Sequence, residues 1–367
     1  MSRPFTPRGL LPRLTPMLGA LLGALLVGVA CARSGSVGGV STAASAASVM
    51  PNMSRTAPSP DPRVGLRAGL TDAAEAAWNL RLVSNTMSPE GFAGVTNSDL
   101  AFIGNYAIQG NYNGFMVWDI SNAARPTLKK SFLCPASQSD VSVYKNLLFV
   151  SAEGLTGRAD CGTQGVQDTV SAMRVRGVRI FDATDITNPK YITNVQTCRG
   201  SHTHTVVTDP NDAENVYIYV SGSAGVRSAQ ELSGCSGGSP DVDPTTALFR
   251  IEVIQVPLAN PAAAKIVSSP RIFADAKTGK AQGLRGAKIH EEVDPEIVRA
   301  AAFRDSMAIA RGQAPRPNER IITQCHDITV YPALGLAGGA CLGMGLLLDI
   351  RDVKNPKRVD QVADSNF

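Results

Sequence analysis

The 367 residues are 44% hydrophobic and 18% charged, enough apolar material for a sizeable core and too little charge for general disorder. The formal charge of +4 includes Arg3, Arg8 and Arg13 at the start of the chain, and without them the balance is close to neutral. No basic stripe with interleaved aromatics is present, so no nucleic-acid partner is expected. The 34 glycines and 23 prolines point to many turns and a β-rich fold.

A leader comes first. After the arginines, Met17 to Ala30 is an apolar run of signal-peptide length, too short for a comfortable membrane span, so residues 1–30 read as an export signal. The run ends in Gly28-Val29-Ala30-Cys31. That stretch resembles the lipobox of bacterial lipoproteins, in which the cysteine is lipidated and becomes the new N-terminus. It departs at Gly28, where the pattern usually has leucine. Ala30-Cys31-Ala32 also reads as an ordinary cleavage site. Cysteine parity bears on the choice: setting Cys31 aside leaves Cys134, Cys161, Cys198, Cys235, Cys325 and Cys341, an even set suited to an exported protein. The lipobox resemblance implies a protein of the cell envelope, at the outer membrane or cell surface, with a membrane as partner through its lipid. A periplasmic or simply secreted protein is the alternative. Residues 31–61, rich in Ser, Ala, Gly, Val and Pro, read as a flexible tether.

From about residue 79 short apolar runs alternate with turns. Met116–Pro126, Val178–Pro189 and Leu346–Pro356 are copies of one segment, an apolar strand, an Asp and a Pro seven positions later: Asp119/Pro126, Asp182/Pro189, Asp349/Pro356. The Asp is expected to bond nearby turn backbone, and the Pro to stiffen the exit toward the next strand. Ile251–Pro261 is a weaker copy without the Asp. A second element recurs too. Ser139–Val143 leads to Leu147–Ser151, His202–Val206 to Val216–Ser221, and His326–Val330 into the stretch before Cys341. Asp99–Ile103 reads as the second strand of the first unit. Each unit is therefore a four-stranded antiparallel meander, and repeated meanders predict an all-β chain folded as a β-propeller.

The copies resemble the LVIVD-repeat family of bacterial surface propellers, in which a His-Asp strand precedes an apolar strand, Asp-Ile-Ser and Asn-Pro. The resemblance spans residues 92–362 and implies the fold and a surface address, with no settled activity. About four units are visible within 79–367. Propellers close on themselves, so an incomplete ring lacking C-terminal blades is expected, with Asn79–Ser84 as the strand that closes it. Asp294–Arg311 reads as a capped helix in an inserted loop. Asp209–Asn215 reads as a solvated hairpin turn in preference to a Ca²⁺ loop.

Six cysteines allow fifteen pairings. Pairing neighbours along the chain, Cys134 with Cys161, Cys198 with Cys235 and Cys325 with Cys341, would brace one insertion each. The chain has four histidines. On a strand His202 and His204 share a face, and His326 aligns with His202 in another unit. First strands line a propeller channel, so His202, His204 and His326 are candidates to converge there and, with Asp327, to hold Zn²⁺ or Cu²⁺. The competing reading is hydrogen bonding between blades, favoured by Ser139 at the aligned position and by the alignment of Asp140, Thr203 and Asp327. His326 and Asp327, adjacent on a strand, are expected on opposite faces and not as a dyad. His290 is placed on a loop. No short catalytic motif is present, but propeller enzymes draw single residues from many blades. The expected function is a binding scaffold for a protein, peptide or small molecule. The alternative is an extracytoplasmic metal-assisted hydrolase or lyase acting through the channel histidines.

Overall fold

The computed structural model describes residues 54–69, 72–238, 243–273, 323–341 and 344–363, together with Arg299, Phe303, Ser306, Met307 and Ala310. The leader, Cys31 and His290 lie outside the described residues. The chain divides into two compact units, 1–81 and 82–367. In the first, the described residues hold no strand, and the Asn79 side chain bonds the backbone of Ser54 through Oδ1 and Nδ2, at 2.9 and 2.7 Å.

The described residues of the second unit hold sixteen strands in four antiparallel four-stranded sheets, each in simple sequential or reversed-sequential order. The first holds β1 (Asn97–Ile103), β2 (Tyr106–Asn111), β3 (Gly114–Asp119) and β4 (Thr127–Leu133). The second holds β5 (Val141–Tyr144), β6 (Leu147–Ala152), β7 (Gly177–Asp182) and β8 (Lys190–Gln196). The third holds β9 (His204–Asp209), β10 (Asp212–Val220), β11 (Glu252–Pro257) and β12 (Lys265–Ser268). The fourth holds β13 (Asp327–Tyr331), β14 (Leu336–Ala340), β15 (Met344–Asp349) and β16 (Lys357–Ala363).

The repeated Asp works as its position demands. Oδ1 of Asp119, Asp182 and Asp349 accepts the backbone N–H two residues on, at 3.0, 2.8 and 3.0 Å, and ends the third strand of its sheet. Pro126, Pro189 and Pro356 directly precede the fourth strands. A bulge recurs between third and fourth strands in every sheet, at Val117/Trp118, Ile180/Phe181, Val253/Ile254 and Leu347/Leu348. The extra residue lies on the outer strand each time, where a bulge bends the strand. Gly114 and Gly177 open β3 and β7 at φ +138 and +149, and a Cβ on either would lie 2.0 Å from a carbonyl oxygen of the fourth strand, that of Phe132 or Val195. Only glycine fits there.

The sheets stack face on face in chain order. Phe115 and Val117 of the first pack with Leu148, Val150 and Phe181 of the second. Phe149, Val178 and Ile180 of the second pack with Val216, Ile218 and Ile254 of the third. Tyr217, Tyr219 and Val253 of the third meet Ile328, Leu346 and Leu348 of the fourth. The first strands line up on the inside, β1 against β5, β5 against β9 and β9 against β13. This is the packing of propeller blades, and among the described residues the four sheets do not close into a ring.

Two expectations change. Asp99–Ile103 belongs to the inner first strand of its sheet, since Tyr106–Asn111 supplies the second. Asn79–Ser84 forms no strand, and Leu80 and Leu82 are exposed. The hairpin expected at Asp209–Asn215 is present as the β9–β10 turn, and the Asp212 carboxylate is occupied by Asn215 Nδ2 and the Tyr217 hydroxyl. Of the expected helix 294–311, Arg299, Phe303, Ser306, Met307 and Ala310 are helical, and the rest lies outside the described residues.

Candidate functional site

Polar side chains gather where the inner strands begin. Asp99 is on β1, Asp140 immediately precedes β5, His204 opens β9, and His326 and Asp327 stand at the start of β13. Ser98 Oγ donates to the Ser139 carbonyl at 3.1 Å, joining the first two sheets. Asp140 Oδ2 accepts the His204 backbone N–H at 2.9 Å, joining the second and third. The hydroxyls of Thr203 and Thr205 donate to the carbonyls of His326 and Ile328, joining the third and fourth. Adjacent inner strands cannot share a ladder across separate sheets, so side chains take the otherwise unpaired backbone groups.

The three candidate histidines separate. His204 is buried, with Nδ1 2.9 Å from Ser151 Oγ and 3.0 Å from Asp140 Oδ2, and with Phe149 edge-on at 6.4 Å. Its Nε2 is buried and has no hydrogen-bond partner among the described residues. Serine, imidazole and carboxylate here do not make a nucleophilic triad. A relay needs the serine on one ring nitrogen and the carboxylate on the other. Here both meet Nδ1, and Ser151 is itself buried against Ser201 Oγ at 2.8 Å.

His202 precedes β9, so strand alternation does not govern it, and its ring turns away from that of His204. Its Nδ1 lies 2.7 Å from Glu153 Oε2, and its ring centroid is 4.8 Å from that of His326. His326 precedes β13 for the same reason, and its Nδ1 reaches Asp327 Oδ2 at 2.7 Å. The expectation that these neighbours point apart is therefore corrected. Two imidazoles meet and the third is turned into the interior. Among the described residues no group of three or more His, Cys, Asp or Glu side chains is arranged to hold a metal ion.

The carboxylates interact. Asp99 is pushed up to about 6, first by loss of solvent around its carboxyl group, although the residue as a whole is exposed, then by its hydrogen bond to Asp140 and that neighbour's charge. Burial pushes Asp140 up most strongly, but the His204 ring and backbone N–H, with Asp99, hold it below the usual carboxylate range. Glu153 is likewise raised by burial and held low overall by His202 and Ser223. The hydrogen bond to Glu153 raises His202 above its ordinary value, outweighing burial.

Glu153 also borders a cleft of about 770 Å³ between the loop from β6 to β7 and the loop after β10. Its walls include Leu155, Val166, Val226, Arg174, Arg176 and Arg227. Disulfides brace both loops, Cys134–Cys161 the first and Cys198–Cys235 the second. The third, Cys325–Cys341, ties the approach of β13 to the end of β14. Sequence reading passed over Asp99, Glu153 and the arginines. The available signal was Arg174-Val-Arg-Gly-Val-Arg179, with charge recurring inside an apolar run that leads into a buried strand.

Residues 95–134, which hold the first sheet, match the LVIVD repeat. The chain therefore carries one LVIVD repeat. The strand, Asp turn and proline of the repeat return in the second and fourth sheets. None of the curated proteins matches the chain. Among solved structures, the chain is similar to a hypothetical selenium-binding protein from Sulfolobus tokodaii at 10% identity and TM-score 0.39, covering 73% of this chain and 49% of that one. It is also similar to apo AztD from Citrobacter koseri, at 12% identity and TM-score 0.30, over 73% of this chain and 46% of that one. Sqt1 of Saccharomyces cerevisiae matches at 10% identity and TM-score 0.31, over 74% and 76%. The chain thus spans about half the length of the first two. Its three disulfides fit an extracytoplasmic, oxidising compartment. No helix among the described residues is long and apolar enough to cross a membrane.

Proposed function

We propose that the protein is a cell-envelope lipoprotein, held by lipid at Cys31, whose blades form a binding scaffold. The observation that carries the binding reading is the cleft of about 770 Å³, walled by two cystine-braced loops and sharing Glu153 with the His202–His326 cluster. Its size lies in the range of small-molecule sites, roughly 300–1,000 Å³. Crosslinked walls favour binding because they are ordered before the ligand arrives. The anchor reading is supported by the six cysteines that pair among themselves, leaving Cys31 as the odd one.

The test is a thermal-shift screen of the mature protein against small organic acids, amines and short peptides. Ligands of the cleft stabilise the wild type and lose that effect in Leu155→Glu, a change at an exposed wall residue. A screen whose hits are indifferent to Leu155→Glu refutes the cleft as the site. Labelling with an alkyne fatty acid checks the anchor, and Cys31→Ala is expected to lose the label. The enzyme reading rests on the His202–His326 contact beside Asp327. Near-stoichiometric zinc or copper in protein purified without a histidine tag, lost in the double variant His202→Ala/His326→Ala, would put that reading in its place.

A further inference from the structure

The cleft holds three guanidinium groups and divides its carboxylates unequally among them. Arg174 and Arg227 both pair with Glu231, at 2.7 and 3.2 Å, and all three side chains are buried. Arg176 is 2% exposed and has no carboxylate within ion-pair distance among the described residues. Its Nε donates to the Glu153 carbonyl and its Nη2 to the Gly225 carbonyl, each at 3.0 Å. Nη1 makes no hydrogen bond to a described residue. The nearby Glu153 carboxylate is taken by His202 and Ser223. Asp168, the remaining acid of the cleft, is exposed. Burial first, and the charge of Arg227 second, hold Arg176 below the usual arginine value, yet a guanidinium stays charged in proteins. A buried cation without a counter-ion is costly, and an anion that completes it gains from the same low dielectric. Leu155, Val166 and Val226 make the neighbouring wall apolar.

We propose that this cleft binds a small organic carboxylate, its head group on Arg176 and its apolar body along Leu155, Val166 and Val226. The assignment deepens the scaffold reading and rests on it. A monocarboxylate supplies the one carboxylate that Arg176 lacks, since Arg174 and Arg227 already share Glu231, and the apolar wall favours a hydrocarbon body over a fully hydrated anion.

The test uses calorimetry on the mature chain with 4-phenylbutyrate, its neutral analogue 4-phenylbutanamide, and inorganic phosphate as competitor. The acid is expected to bind saturably and at least tenfold more tightly than the amide. Arg176→Gln should bring the acid down to the level of the amide and leave the amide unchanged. Because Arg176 is buried, a second variant is needed: Leu155→Glu, exposed at the cleft, should weaken the acid at least fivefold in a protein whose melting temperature is unaltered. Arg351→Gln, an exposed arginine of the fourth sheet, should change nothing. Equal binding of acid and amide, or acid binding untouched by Arg176→Gln, overturns the carboxylate and leaves the scaffold reading in place. Phosphate displacing the acid at equal concentration would assign the site to oxyanions generally and also overturn it. If neither probe binds, the carboxylate assignment fails, and the thermal-shift screen then decides the scaffold reading separately.

Discussion

Replacing Cys198 and Cys235 together by alanine removes the crosslink that fixes one wall of the cleft. The bond closes a loop of 37 residues, for which chain entropy alone gives about 4 kcal/mol. Both cysteines are about 95% buried and pack with Ala247, Val226 and Leu232, and Arg250 Nη2, which reaches Cys198 Sγ at 3.7 Å, keeps its bond to Glu252 Oε1 at 3.1 Å when alanine replaces the cysteine. The loop is otherwise held by a few backbone bonds, among them Arg227 N–H to the Cys198 carbonyl at 2.9 Å and Ala224 N–H to the Arg199 carbonyl at 3.2 Å. Loss of the crosslink should therefore lower stability by about 3–4 kcal/mol in urea unfolding. The slope of the transition should rise, because the freed denatured chain exposes more surface. The cleft ligand should weaken more in this variant than in Cys325→Ala/Cys341→Ala, whose bond closes a loop of 16 residues in the fourth sheet. A cost below about 1 kcal/mol would show that the loop is ordered without its crosslink, and the account of a preformed cleft wall would fall.

Glu153→Gln should lower the titration midpoint of His202, read by NMR of the imidazole, because it removes the charge and hydrogen bond that raise it. In the wild type this pair stabilises the fold below the ordinary imidazole value of 6.5 and is lost as pH rises through the raised one, so the variant should show a weaker dependence in that window; an unmoved midpoint refutes the pairing. Asp99 presents the opposite case among acids. With its value raised from 3.8 to about 6, stability falls as pH climbs through that interval. Asp99→Asn keeps a donor to Asp140 and should flatten this slope, leaving the variant more stable above pH 6 by on the order of 1 kcal/mol after allowance for solvent screening. A variant with the wild-type slope would exclude Asp99 as its source. Phe181→Ala empties the contact between the first two sheets, where Phe181 meets Phe115 and Phe132 edge-on at 5.3 and 5.1 Å, and should cost about 3–5 kcal/mol in thermal or urea unfolding. A loss under about 1 kcal/mol would mean that the two sheets do not depend on that packing.

The repeat was legible because everything that makes it is local. Asp182 caps its own turn two residues on, Pro189 sets the next strand, and Val178, Ile180 and Phe181 are apolar because both faces of the sheet are covered, with Arg179 the one charge among them. Such signals need a few neighbouring residues and no knowledge of the rest of the chain. Asp99 was misplaced because β1 and β2 are both short and mixed in polarity, and only pairing decides which is inner. The histidines show the limit more sharply. Alternation holds within a strand, and His202 and His326 stand two residues and one residue before theirs, where the loop path sets the direction of the side chain. Glu153, Arg176 and Arg227 become one cleft only when the second and third sheets stack and two disulfides draw their loops together. Sequence alone thus determined the blade unit, through local hydrogen bonding and strand periodicity. The tertiary structure decided which charges are buried without partners, because burial is a property of contacts between sheets far apart in the chain.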